Sequence, residues 1–167
     1  MIPEKRTDTN PKFRVPVSTN IFIERLQEAK LDTRRFVKIG KNKKAFEQDN
    51  FDHPYDADEL HTWAQWGTMG GKRLIHGDAD TPEMAKIMRE KLPATFEVES
   101  GRRKLPQFVW STDTDEVATQ YLRLPGSDDR VGEIRGTGAY VCTVGTELDY
   151  YDETGTHVIG EYKILHD

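Results

Sequence analysis

A single cysteine, Cys142, stands among the 167 residues. That excludes an intramolecular disulfide and any cysteine-rich zinc site. No apolar run approaches the length of a membrane span, and residues 1–16 are polar and proline-containing, without the apolar stretch of a signal peptide. A cytoplasmic location with no membrane partner is the expectation. Histidine is also scarce, and His53, His61, His157 and His166 show no metal-ligand spacing. There is no G-x-S-x-G, no H-E-x-x-H and no C-x-x-C. Gly67, Gly70 and Gly71 do not make a G-x-x-x-x-G-K-[ST] loop, although Lys72 follows them. Trp63, Trp66 and Trp110 are too few and too scattered to form a base-stacking platform.

What is present is charge. Hydrophobic residues make up 35% of the chain and charged residues 32%, with a formal net charge of -5. Those proportions describe a folded domain with a highly charged surface rather than a disordered or membrane-embedded chain. The length fits one domain with a real core. An acidic balance argues against a protein that coats nucleic acid over its whole surface, and leaves room for a local basic groove.

The pattern divides the chain into an arm at residues 1–16, carrying Lys5, Arg6, Lys12 and Arg14, and one domain over 17–167. Residues 18–31 read as an amphipathic helix capped by Ser18 or Asn20, with Phe22, Leu26 and Ala29 at helical spacing. Residues 35–39 suggest a strand, and 40–44 and 48–53 read as loops. Asp56 and Glu59 resemble a capping box, which predicts a second helix with Leu60, Trp63 and Ala64 on its apolar face. The glycine-bearing segment 65–71 leads into a strand at Leu74. A third helix starts at Thr81, with Pro82 in its first position and Met84, Ile87, Met88 and Leu92 toward the sheet. Strands follow over 95–100, 107–111, 116–124, 130–135, 139–144 and 147–151. Residues 157–165 are expected to return as the partner of a terminal hairpin. The fold class is α+β: a mixed, mostly antiparallel sheet flanked by helices.

Three stretches carry candidate chemistry. In Leu74-Ile75-His76-Gly77-Asp78-Ala79-Asp80-Thr81-Pro82-Glu83, a strand ends in two aspartates one residue apart and turns at once into a helix. Residues i and i+2 of a strand share a face, so Asp78 and Asp80 project side by side and repel unless a cation lies between them. Mg2+ or Mn2+ suits such oxygen ligands. An isolated D-x-D is more often the pattern of a helix cap beside a solvated loop acid. His76 shares the face of Asp78, deeper in the strand, and reads as a packed, hydrogen-bonded histidine. The second stretch, Ser100-Gly101-Arg102-Arg103-Lys104, puts three consecutive cations at a turn. This is a setting for a polyanion or, read plainly, a solvated hairpin tip. In the third, Val131 to Val141, Glu133 and Arg135 share one strand face ahead of Gly136 and Gly138. They make either a surface ion pair or a third oxygen ligand beside a phosphate-facing cation.

With these stretches in order, the chain resembles the primase-polymerase (Prim-Pol) domain of the archaeo-eukaryotic primase superfamily, found in replication proteins of archaea, plasmids and viruses. The likeness runs from Arg35-Phe36-Val37-Lys38, through Tyr55-Asp56-Ala57-Asp58-Glu59-Leu60, Trp66-Gly67 and Gly70-Gly71, to Tyr162-Lys163. The first motif of that family matches Asp78-Ala79-Asp80-Thr81-Pro82-Glu83, and the third matches Glu133-Ile134-Arg135-Gly136-Thr137-Gly138. The resemblance implies an RRM-related core and DNA primase/polymerase activity on nucleoside triphosphates with a DNA template and primer. It also implies a helicase or a C-terminal replication segment as a partner. Asp78, Asp80 and Glu133 would be the catalytic metal ligands for Mg2+ or Mn2+, and Ser100, Arg102, Arg103, Lys104 and Arg135 would contact phosphates. The second motif departs from the family: its histidine is absent. In the simplest alignment Gln107 takes that place; a one-residue shift gives Pro106. The zinc-binding insertion found in some members is missing as well. The alternative expectation is a Prim-Pol-like module that binds nucleotide or nucleic acid in replication initiation without turnover.

Overall fold

The computed structural model describes residues 15–46, 51–60 and 65–166. The expected arm lies outside them, apart from Val15 and Pro16. The described residues form an α+β structure, with mostly antiparallel sheets and two α-helices.

Helix α1 spans Val17–Glu28. It begins behind Pro16 with no side-chain cap, not at Ser18 or Asn20, and stops short of residue 31 because Lys30 turns into the left-handed region (φ 54°). Phe22 and Leu26 are buried as expected, while Ala29 is exposed. Strand β1 is Phe36–Ile39. The expected second helix is one 3-10 turn, Ala57–Glu59. Its capping box is real, with the Asp56 side chain accepting from Ala57 N and the Asp56 N–H donating to Glu59 Oε2. A capping box satisfies only the first turn, however, and the backbone is already extended at Leu60. Trp63 and Ala64 lie outside the described residues.

The glycine-bearing lead-in is itself a strand, β2 (Gln65–Met69). It pairs with β1 on one side and with β8 (Tyr140–Cys142) on the other, forming a three-stranded sheet. Gly67 fits there because a Cβ would lie 2.7 Å from the Tyr140 ring.

The second sheet has six strands, ordered β11-β4-β5-β3-β7-β6. These are β3 Leu74–Ala79, β4 Phe96–Glu99, β5 Pro106–Ser111, β6 Gln120–Arg123, β7 Arg130–Arg135 and β11 Lys163–His166. Helix α2 (Pro82–Lys91) joins β3 to β4. Because β5 runs antiparallel to both, β3 and β4 are parallel with β5 between them, a split β-α-β unit. The Thr81 side chain accepts from Met84 N and Pro82 opens the helix, as the sequence predicts. The helix ends one residue earlier than expected, leaving Leu92 at the cap and 38% exposed.

The expected terminal return divides in two. Its first half, β10 (His157–Glu161), pairs with β9 (Glu147–Tyr151). The second half, β11, leaves that hairpin and pairs with β4. Buried Tyr162 marks the switch, its N–H donating to the Thr146 carbonyl.

Two cores follow. On one face of the large sheet, Met84, Ala85 and Met88 of α2 pack on Ala79, Phe108, Trp110 and Val131. The opposite face packs Leu74, Phe96, Val98 and Val109 against Phe22, Leu26, Val37, Ile39 and Trp66. Each large apolar side chain fully buried in this way contributes about 1.5–3 kcal/mol. The candidate site lies at the open end of that second interface.

Candidate functional site

Register assembles the site. Asp78 is the direct partner of Gln107 on β5 and of Glu133 on β7, and Glu133 is in turn opposite Tyr121 on β6. Residues opposite one another in an antiparallel sheet share a face. Gln107, Asp78, Glu133 and Tyr121 therefore form one row, with His76 and Arg135 paired in the next. Asp80 follows the strand end, where its N–H donates to the Val131 carbonyl. Three acidic residues predicted from two separate stretches are brought together.

Each is matched by arginine. Asp80 Oδ1 lies 2.8 Å from Arg103 Nη1, and its Oδ2 lies 3.9 Å from Arg130 Nε. Arg135 spans Asp78 (3.8 Å) and Glu133 (3.2 Å), and donates to the Tyr140 carbonyl. Glu133 also pairs with Arg130. Burial pushes the Asp78 carboxyl above its ordinary value and the Asp80 charge adds to that, while Arg135, Lys43 and Arg103 oppose it.

His76 is 1% exposed, and neither ring nitrogen has a hydrogen-bond partner. The expectation of a hydrogen-bonded histidine is thus corrected: the strand alternation that aims it inward surrounds it with apolar side chains and two guanidiniums. Burial, then the charges of Arg35 and Arg135, lower its pKa to about 3.

The expected phosphate contacts divide. Arg103, Gln107 and Arg135 join the acidic row. Ser100 instead closes the turn, its hydroxyl accepting from Leu105 N, and Lys104 sits 4.0 Å from Glu99. Arg102 is drawn 2.7 Å from Asp152, whose other oxygen binds the Thr154 and Thr156 N–H groups of the β9–β10 turn.

Sequence reasoning missed three participants. Lys43 comes from a loop of the other sheet. Its backbone is left-handed (φ 70°), its carbonyl accepts from Tyr140 OH at 2.8 Å, and its ammonium lies 6.0 Å from the Tyr162 ring centroid. Burial lowers its pKa, opposed by Cys142 and Asp78 and reinforced by Arg102 and Arg103, so its charge is felt in the same cleft. Arg130 should face away from Glu133 by simple alternation. The β6–β7 register skips Val131, and this bulge turns Arg130 to the acidic side. Tyr121 sits on the expected but short β6.

Carboxylates in this arrangement suit a hard divalent cation, and the surrounding guanidinium and ammonium groups suit phosphate. Among the described residues, no group of three or more His, Cys, Asp or Glu side chains converges as a ready metal cage. The carboxylates turn to their arginines instead. A cavity of about 740 Å³, lined by Arg35, Phe51, Met69, Gly71, Lys72 and Arg73 among others, opens at the other end of β3 and includes none of the acidic row. No helix of the described residues is long and apolar enough to cross a membrane. No protein-family model matches the chain, and no curated protein matches it.

Proposed function

We propose that this chain is a metal-dependent nucleotidyltransferase of the Prim-Pol type, extending a DNA primer from nucleoside triphosphates. The observation that carries it is the register of three strands, which sets Asp78 between Gln107 and Glu133 with Asp80 at the strand end. The split β-α-β arrangement of β3, α2, β4 and β5 supports an RRM-related core, and Gln107 beside Asp78 fits its alignment to the family's phosphate-contacting position. The oxygen donors fit Mg2+ or Mn2+, and Asp78, Asp80 and Glu133 would hold it. When bound, a divalent ion there would neutralise phosphate charge and acidify the attacking 3′-hydroxyl. Arg103, Arg135 and Lys43 bind phosphate oxygens, and Gln107 donates a hydrogen bond to one. Arg102 and Lys104 add positive potential from the same turn.

Extension of a labelled primer–template with Mn2+, run beside Asp78→Ala and Glu133→Ala, tests this. Extension in the native protein that disappears in both folded variants is expected; extension retained in Asp78→Ala would refute the assignment. A second reading, a module that binds nucleotide or nucleic acid without turnover, is favoured by the uncharged Gln107 and by the arginines on all three acids. It predicts triphosphate binding by calorimetry with no extension.

A further inference from the structure

We infer that the ring of Tyr121 is a nucleobase platform for the nucleoside triphosphate bound at the acidic row. This rests on the reading above and adds a subsite to it. Tyr121 lies directly opposite Glu133, so its side chain projects on the same face as Asp78. Two strand spacings separate it from Asp78, roughly 10 Å. That is the scale of the distance between the reacting phosphate of a nucleotide and its base. Strand β6 is the edge of the six-stranded sheet, and the Tyr121 ring is 55% exposed there. Leu122, on the other face, belongs to the core under α2 and fixes the strand that presents the ring.

The ring already carries a planar cation. The Arg130 guanidinium carbon stands 4.3 Å from the ring centroid, while the same side chain pairs with Glu133 and Asp80. A flat, delocalised group thus occupies the stacking position and is tied at its other side to the carboxylates. A nucleobase is the ligand group that matches this surface, because every base presents a π-face and stacks without regard to sequence. With the acids holding a metal-bound triphosphate, Arg130 would turn from them toward the phosphates, and the base would take its place on Tyr121.

Calorimetric titration of the full chain with Mn2+ and either a nucleoside triphosphate or inorganic tripolyphosphate separates the base from the phosphates. Tyr121→Ala is expected to weaken the nucleoside triphosphate on the order of tenfold or more. Tripolyphosphate affinity should stay within about twofold, a margin well below one lost stacking contact, and Tyr121→Trp should retain nucleotide affinity. Unchanged nucleotide affinity in Tyr121→Ala would overturn the inference, as would an equal loss for both ligands. A loss confined to primer–template binding would assign the ring to the primer end and overturn it equally. If the native protein binds neither ligand, the proposed function falls with it. Circular dichroism of the exposed-edge variant checks that its fold is intact.

Discussion

Gly160→Ala is the perturbation that best tests how the hairpin positions the basic turn. A Cβ at Gly160 would lie 1.9 Å from the Gly101 carbonyl oxygen and 2.7 Å from its carbon. A comfortable carbon–oxygen approach is about 3.3 Å, so β10 and the turn would have to separate by roughly 1.4 Å. The obstacle is backbone, which no rotamer change relieves. Gly101 cannot retreat freely either, because its own Cα side faces Leu148 and Tyr162. Overpacking of this kind costs about 2–3 kcal/mol. For a chain of this length that lowers Tm by about 4–12 °C. The displaced turn carries Arg103, whose 2.8 Å contact with Asp80 would lengthen beyond hydrogen-bond range. The same displacement carries the Arg103 guanidinium away from the phosphate it is proposed to bind, and loss of that one charge-assisted contact should weaken Mn2+-tripolyphosphate binding by about tenfold. Differential scanning calorimetry and isothermal titration measure the two effects. A Tm unchanged within about 1 °C, with unaltered tripolyphosphate affinity, would refute the idea that this contact sets the turn.

Three further outcomes follow from the same geometry. His76 has a folded pKa near 3 against an ordinary 6.5, so the unfolded chain binds the extra proton and stability falls as pH drops from about 6.5 toward 3. Urea melts of His76→Leu should lose up to about 1.4 kcal/mol of dependence per pH unit in that window, and an unchanged slope would refute it. Thr81→Ala removes the side-chain acceptor for Met84 N and should cost about 1 kcal/mol in urea melts, largely restored by serine. Arg130→Ala removes a cation competing for Asp80 and Glu133 and should tighten Mn2+ binding about fivefold by calorimetry, given the small strength of half-exposed ion pairs; weaker binding would refute the competition.

Local chemistry was legible and long-range chemistry was not. The strand carrying Asp78, the Thr81-Pro82 helix start and the shared face of Glu133 and Arg135 depend on neighbours within a few residues, and the structure agrees with all three. Asp56 and Glu59 were equally local and misled about length, because a cap initiates a helix without sustaining it. Arg130 was hidden by a one-residue bulge, and a bulge reverses alternation with little compositional trace. Lys43 belongs to a loop of the other sheet, and its carbonyl is held by Tyr140, far along the chain. The departure of β11 from the terminal hairpin depends on burying Tyr162, a tertiary preference that a run of alternating residues does not encode.

The arginines on the acidic row bear on why such a row folds at all. Asp78 and Glu133, the latter 6% exposed, are direct neighbours across the sheet with Asp80 just past the strand end, and carboxylates so placed repel one another and resist desolvation. An uncompensated charge of that kind costs several kcal/mol, a large share of the stability of a domain this size. Arg103, Arg130 and Arg135 supply the compensation. Arg103 and Arg130 are about half exposed, so their pairs with the acids are weak individually and exchange at little cost. Arg135 is more enclosed and is further tied to the Tyr140 carbonyl, so it stays in place. Cations of two kinds therefore surround the carboxylates: one fixed, which maintains the fold, and two displaceable, which yield to a stronger competitor. A purely structural ion-pair network has no need of that asymmetry. Under the function proposed above, that asymmetry would let the site fold and then admit a metal with its phosphates.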